Sequence, residues 1–343
     1  MQIAIKNLKK NFTPFFLYLA CSALLGCNPN NVKLIKESRF YMGTLFDITV
    51  LHADARKAEK IIDKVFDEIK RIELMTSKFI PNSEVSKINQ SSNENAYPIS
   101  EEVYNLLKVS VHYSQITRGA FDITIGVIQD LWNFDNEEGQ IPSSGTLLPL
   151  LSLVGFKNIA LKENFHVRLK KKGMKLDLGA IAKGYAVNRG IEILRNNHIN
   201  NAILNGGGDL KCIGEKKQGS PWEIGVRHPR DPSSIIATLK GNNQAIATSG
   251  DYQNYFVKNK VRYHHLLNPE TGWPAKGTQS ATIISNNAML ADAMATAVFI
   301  MGPERGIEFI ESQKGLEGFL ITSDGDKIIS TGLKKRIQFH ENN

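Results

Sequence analysis

The sequence predicts an α+β protein built mainly on antiparallel sheets with flanking helices. Three observations predict it. Strand-like and helix-like stretches follow one another without the strict alternation that a doubly wound parallel sheet requires. Short strand signals come in adjacent pairs around turn dipeptides, at Asn259-Lys260 and Asp324-Gly325, as antiparallel hairpins do. Residues 55–75 carry apolar side chains at helical spacing, so one long helix has a face to lay on a sheet.

Taken in order, Phe46, Ile48 and Val50 alternate with Asp47 and Thr49, a strand signal. Ala58, Ile61, Ile62, Val65, Phe66, Ile69 and Ile72 form the stripe of the long helix. Residues 77–89 mix turn formers with apolar anchors, and 89–95 read as a polar loop. Ser100 is placed to cap a helix carrying Val103, Leu106, Leu107 and Val111. Residues 118–124 read as a loop with a buried anchor, and 133–144 as an acidic surface loop. A hairpin is expected at 159–161 and 167–169, a helix at 182–196, and a strand at 202–204 running into Asn205-Gly206-Gly207-Gly208-Asp209. Strands follow at 223–226, 235–239, 245–248, 255–258, 261–264 and 282–284. Helices follow at 288–301, ended by Gly302-Pro303, and at 304–313, and a hairpin at 319–322 and 327–330 closes the chain.

The 343 residues and their 42% hydrophobic content suit one large domain or two modest ones. The net charge of +8 is spread along the chain. No dense Lys/Arg block is interleaved with aromatics, so nucleic acid is not an expected partner. The N-terminus is more specific. Lys6, Lys9 and Lys10 precede an uncharged, mostly apolar run at 12–25, which ends in Leu24-Leu25-Gly26-Cys27. That is a secretory signal with a small residue before the cut, and a cysteine directly after it matches a lipoprotein signal. The expected organisation is a signal peptide at 1–26, an acylated Cys27 opening a tether at 27–38, and one domain at 39–340. The chain is then exported and lipid-anchored on the periplasmic side of the inner membrane. An uncleaved anchor is the alternative, for which the run is short against the roughly 20 residues of a full span. Of the three cysteines, Cys21 leaves with the signal and Cys27 carries lipid. Only Cys212 remains, so no intramolecular disulfide is expected, and Cys212 reads as a packed strand residue.

Three stretches bear chemistry. Residues 176–185 (LDLGAIAKGY) run from an apolar–acidic alternation through a turn at Gly179 into a helix. A helix start presents unpaired N–H groups and partial positive charge, which suits a phosphate. Lys183 adds a full charge there, and Asp177 offers carboxylate oxygens just before the turn. A buried strand followed by a helix with a solvated lysine is the plain alternative. Asp292 and Thr296 stand four apart on a predicted helix and share a face. Together they are an oxygen half-site for a hard cation such as Mg²⁺; alternatively, Asp292 answers the helix dipole and Thr296 bonds back into its own helix. His265 lies at a strand end beside a Pro/Gly turn, where a neutral imidazole can take a proton from a hydroxyl. His264 points the other way. Both being surface histidines is the alternative.

Taken together these stretches resemble the ApbE family, the FAD:protein FMN transferases. The resemblance runs from Tyr41 to about Gly302. It rests on Met42-Gly43-Thr44, residues 77–89, Gly119 through Gly126, Leu131-Trp132 and residues 176–185. Asn205 through Asp209, Ala247 through Tyr252, His265 through Gly272 and Ala291 through Thr296 complete it. It implies an ApbE-like (T-fold-like) architecture with the active site in a cleft between two lobes. It implies Mg²⁺-dependent splitting of FAD, with FMN passed to a Thr or Ser hydroxyl of an acceptor flavoprotein bearing an FMN-binding domain, and AMP leaving. It implies Mg²⁺ held by the Ala180 carbonyl, Asp292 and Thr296. FAD contacts are implied at Met42, Phe79, Ala120, Phe121, Asp122, Asp177, Lys183 and Leu267, with the Phe79 and Phe121 rings offering surfaces for the flavin and adenine. His265 matches the family histidine that activates the acceptor. Hydrolysis of FAD to FMN and AMP, and non-catalytic flavin binding, are the competing readings. Asn268 stands where the family usually has Asp, and Gly206 where it more often has Ile; both departures are expected to be neutral.

Overall fold

The structure, a computed structural model, describes residues 32–91, 95–134, 139–217 and 219–340. The leader and Cys27 lie outside the described residues, as do 135–138 of the expected acidic loop.

The chain opens with β1 (Lys33–Tyr41), β2 (Thr44–His52), α1 (Ala55–Thr76), α2 (Glu84–Gln90), β3 (Tyr97–Pro98) and α3 (Glu101–Ile116). It continues with α4 (Gly126–Trp132), α5 (Ser144–Leu151), β4 (Ile159–Lys162), β5 (His166–Leu169) and α6 (Ala182–Asn196). Next come β6 (Ala202–Gly206), β7 (Asp209–Ile213), β8 (Trp222–Arg227), β9 (Ile235–Gly241), β10 (Ala245–Gly250), β11 (Tyr255–Lys258) and β12 (Val261–His264). Last are β13 (Thr278–Ser285), α7 (Ala288–Met301), α8 (Pro303–Ser312), β14 (Glu317–Thr322), β15 (Lys327–Ile329) and β16 (Ile337–Phe339).

The framework is an eight-stranded sheet in the order β1-β2-β6-β7-β10-β13-β14-β15, antiparallel at every pairing. All eight residues of β13 are buried, as befits a strand covered on both faces. Helices α1, α6 and α7 cover one face. There Ile62, Val65, Phe66, Ile69, Val187, Ile191, Met294 and Val298 join Phe46, Ile48 and Ile283 in the main core. The small sheet β16-β9-β8 covers the other face through Trp222, Ile224, Leu239, Ile246 and Phe319. Cys212, on β7, is buried in that second core. A third cluster is aromatic. Trp132 lies 5.1 Å from Trp273, 5.7 Å from Tyr263 and 6.3 Å from Phe256, ring to ring.

The fold class and most elements stand where the sequence placed them, including α6 and α7 and the β11–β12 hairpin. Asn259 and Lys260 both take positive φ, the geometry a two-residue hairpin needs. Two expectations are corrected. Part of the expected tether, 33–38, belongs to β1, which pairs with β2 along its whole length. As an edge strand it is covered on one side only, so charged and apolar residues interleave and no clean alternation marks it. Within 77–90, Ser83 caps a short helix, its Oγ accepting from the Ser86 N–H.

Candidate active site

The site is built where α6 and α7 cross. Gly184 lies on the first turn of α6, and a Cβ there would meet the Ala288 carbonyl oxygen at 2.3 Å and Asp292 Cβ at 2.8 Å. Only glycine lets the helices approach so closely. In consequence the Gly184 N–H donates to Asp292 Oδ2 at 2.9 Å. As the third residue of α6, Gly184 carries one of the N–H groups that a helix start leaves without an intrahelical partner. Asn188 holds the crossing further along, accepting from the Ala288 N–H and donating to Asn287, the cap of α7. Thr296, one turn after Asp292, brings Oγ1 to 3.2 Å from Ser249 Oγ on β10.

Lys183 sits between two carboxylates. Its Nζ lies 3.2 Å from Asp209 Oδ2 and 3.7 Å from Asp292 Oδ1, and donates to the Gly179 carbonyl at 3.0 Å. Asp292 is 3% exposed and Asp209 6%. Burial opposes the Lys183 charge, but Asp292 and Asp209 outweigh it and hold its pKa above the ordinary lysine value. Burial, and next the charge of Asp292, push Asp209 up to about 7 against the pull of Lys183. Burial likewise raises Asp292, while Lys183 and the Gly184 N–H lower it. Two buried acids share one half-buried ammonium, so with both ionised an excess of negative charge is left. A hard cation suits that excess. The oxygen donors present are the Asp292 carboxylate, the Thr296 hydroxyl and the Ala180 carbonyl, which stands just before the helix. The set therefore fits Mg²⁺ as the family resemblance implies.

Asp177 lies just before this helix start. Its Oδ1 accepts from the Gly179 N–H at 2.8 Å, closing the turn, and its Oδ2 pairs with Lys78 Nζ at 3.1 Å. Lys78 in turn reaches Asp130 at 2.8 Å, which Lys175 also meets. Burial works against the Lys78 charge, but Asp177 and Asp130 raise its pKa overall. The neighbouring Phe79 ring is 68% exposed and lies 5.0 Å from Lys78 Nζ, available for a planar ligand.

The segment at 119–126 reaches the same region through its backbone. The Asp177 N–H donates to the Ile123 carbonyl at 2.7 Å. A Cβ on Gly126 would meet the Lys175 carbonyl oxygen at 2.8 Å. Here one expectation is corrected. The Phe121 ring is 1% exposed and faces Tyr113 in the core, so it offers no stacking surface. The Asp122 carboxylate is also engaged, with Oδ1 accepting from the Thr124 N–H and hydroxyl and Oδ2 from the Phe156 N–H. The Phe121 and Asp122 side chains are thus both engaged within the protein, while Ala120 is only partly buried. Met42 and Gly43, both at positive φ, make the tight β1–β2 turn, and the Met42 N–H donates to Glu73. Thr44 abuts the glycine turn, because a Cβ on Gly207 would meet its Oγ1 at 2.5 Å. Gly206 is not neutral here: its Cβ would strike the Phe46 ring at 2.5 Å.

His265 follows β12. The Asn254 carbonyl can only accept, so His265 Nδ1, 3.2 Å away, carries the hydrogen and Nε2 is the basic nitrogen. Burial, then the neighbouring His264 and the Lys183 charge, hold its pKa down at about 4. The charges of Lys183 and Asp177 both act on it, which relates it to the α6 start. His264 faces the opposite way, buried against Phe299 with Nε2 bonded to the Ala275 carbonyl. Helix α4 braces the His265 loop at two points, Gln129 donating to the His265 carbonyl at 2.7 Å and Trp132 to the Gly272 carbonyl at 2.8 Å. Leu267 is buried in the aromatic cluster. Asn268 makes its turn as expected, its Oδ1 accepting from the Glu270 N–H and its carbonyl from Thr271 and Gly272.

Asp209, Gly184 and Lys78 lie inside the motifs quoted above without a role of their own, and Asn254 lies outside them. Asp209 had a visible signal, an acid directly after three glycines. Gly184 had one too, a glycine inside a helix. Lys78 and Asn254 had none.

Fold and site together define an α+β protein with a buried ammonium–carboxylate cluster at a helix start, beside a base braced by a short helix. Comparison with known proteins places it further. The profile described as the ApbE family matches residues 42–320. A Klebsiella pneumoniae protein named FAD:protein FMN transferase is 31% identical over 281 residues, 81% of this chain and 87% of its own. The protein of that name from Escherichia coli K12 is 27% identical, over 92% of this chain and 94% of its own. An ApbE protein of Thermotoga maritima superposes with a TM-score of 0.83 at 35% identity, covering 89% of this chain and 99% of that one. The flavin transferase ApbE of Vibrio cholerae gives 0.80 at 25% identity, with 89% and 99% covered. The chain belongs to the ApbE family.

Proposed function

We propose that this chain is an FAD:protein FMN transferase. It moves FMN from FAD to a Thr or Ser hydroxyl of an acceptor flavoprotein with an FMN-binding domain and releases AMP. The observation that carries the reading is the Lys183–Asp209–Asp292 cluster at the start of α6, in a chain similar to relatives bearing that name.

The acceptor oxygen attacks the phosphorus on the FMN side of the diphosphate. The bond from that phosphorus to the bridging oxygen breaks, and the bridging oxygen leaves with AMP. The hydroxyl proton goes to His265 Nε2, whose partner nitrogen is fixed on the Asn254 carbonyl. The Lys183 ammonium meets the phosphate charge. The exposed Phe79 ring and the backbone at 120–122 provide contacts for the dinucleotide, with Met42, Asp177 and Leu267 around them. Asp292, Thr296 and the Ala180 carbonyl would hold Mg²⁺, which supplies Lewis-acid neutralisation of the diphosphate oxygens. We read the space between the α6–α7 layer and the α4 layer as the cleft.

No helix among the described residues is long and apolar enough to cross a membrane. We read membrane attachment as lipid on Cys27, with the domain on the periplasmic side of the inner membrane and the acceptor among membrane redox complexes or exported reductases. A Cys27→Ser chain should then lose its lipid mass and leave the membrane fraction.

The test of activity is incubation with FAD, Mg²⁺ and an isolated FMN-binding domain, read by in-gel flavin fluorescence. Fluorescence on the acceptor with one AMP released supports transfer. Free FMN and AMP with a dark acceptor would mean hydrolysis instead, and unchanged FAD would mean binding alone.

A further inference from the structure

Lys183 has two acidic partners, and they differ in what else they do. Asp292 Oδ2 is fixed by the Gly184 N–H, and its carboxylate belongs to the donor set assigned above to Mg²⁺. Asp209 stands outside that donor set, its carboxylate meeting Lys183 and the Thr248 backbone N–H. It is the first residue of β7, directly after Gly207 and Gly208, both at positive φ. That turn is closed by the Gly208 N–H on Asn205 Oδ1 at 2.9 Å and wedged against Thr44. Asp209 is therefore preset, buried, and nearer to Lys183 Nζ (3.2 Å) than Asp292 is (3.7 Å).

An ammonium and a divalent ion compete for one carboxylate, since each screens the charge that attracts the other. We propose that Asp209 is a positioning residue which holds Lys183 off Asp292, so that the Asp292 carboxylate stays open to the divalent cation while Lys183 faces the diphosphate. Without the Asp209 charge, Lys183 turns to Asp292 and becomes an internal competitor of the metal. The inference rests on the metal assignment proposed above.

The test titrates the full chain with Mn²⁺ alone and follows free Mn²⁺ by electron paramagnetic resonance, with no turnover involved. Asp209→Asn should bind Mn²⁺ at least about tenfold more weakly than the wild type, a coupling of ordinary size for adjacent charged sites. Removing the competitor in Asp209→Asn/Lys183→Met should restore binding, a rescue that a merely structural role for Asp209 would not produce. Lys183→Met alone should bind at least as tightly as the wild type, and it serves if Asp209→Asn fails to fold. Wild-type affinity in Asp209→Asn, no rescue in the double variant, or weaker binding in Lys183→Met each overturns the proposal. Absence of Mn²⁺ binding by the wild type overturns the metal assignment itself, and the proposal with it.

Discussion

The Gly184 N–H donates to Asp292 Oδ2 at 2.9 Å, joining residues 108 apart in sequence. This one bond fixes the carboxylate at the helix crossing and satisfies an N–H that the start of α6 leaves without a helical partner. Gly184→Ala would drive a methyl group into the Ala288 carbonyl. The helices must part, at a cost of roughly 1–3 kcal/mol for overpacking. A lowered urea midpoint together with weakened Mn²⁺ binding is the expected result, and either change without the other would separate stability from site geometry.

Asp292→Asn keeps an oxygen for the Gly184 N–H but loses the charge. The fold should hold, with thermal stability near that of the wild type, while transfer falls by about 10²-fold or more, as for other lost electrostatic groups. Asp292→Ala should be as inactive and less stable. Unchanged turnover in either variant would show that the metal is held elsewhere.

His265→Ala should still bind FAD, measured by quenching of flavin fluorescence, while transfer drops about 10²- to 10⁴-fold, the usual worth of a general base. Loss of both together would point to a structural role.

The low pKa of His265 also fixes a direction with pH. Its pKa is held down at about 4, below the 6.5 of an ordinary histidine. Below 6.5 the unfolded chain therefore binds the proton more readily. The stability from keeping His265 neutral is complete above pH 6.5 and is lost as pH falls toward 4. The fall in melting temperature across that window should be shallower in His265→Ala than in the wild type. The pH–rate profile should likewise show no imidazole step near 6.5.

Asp251 follows β10 and takes both terminal nitrogens of Arg230, at 2.6 and 2.7 Å, with Arg262 at 3.3 Å. Asp251→Ala leaves two guanidinium groups beside a buried gap. Arg230 and Arg262 remain partly solvated. The loss should therefore be moderate, roughly 1–3 kcal/mol, read as a lower urea midpoint at unchanged slope.

How far the sequence could be read follows from how local each signal is. Helix α6 was legible to its ends, because its apolar spacing lies within fifteen residues. Edge strand β1 was not, because one face is solvated and its pairing partner sets its conformation. Lys183, Asp292 and His265 stood out as candidates because each lies in a motif. Their arrangement was not visible, because it depends on α7 arriving over Gly184 and on α4 bracing the His265 loop. Phe121 shows the limit most plainly: an aromatic in a motif reads as a stacking surface until its ring is seen in the core. Gly206 shows the reverse, a departure that reads as harmless until Phe46 is found against it.

In the proposed reaction a divalent ion would join the Asp292 face of α7 to the diphosphate of FAD at the start of α6. Crystals grown with FAD and Mn²⁺, with diffraction recorded at the manganese edge, measure this directly. One strong anomalous peak is expected against the Asp292 carboxylate, the Thr296 hydroxyl and the Ala180 carbonyl, in contact with the diphosphate. A peak elsewhere, with Asp292 still touching only Gly184 and Lys183, would contradict that reading.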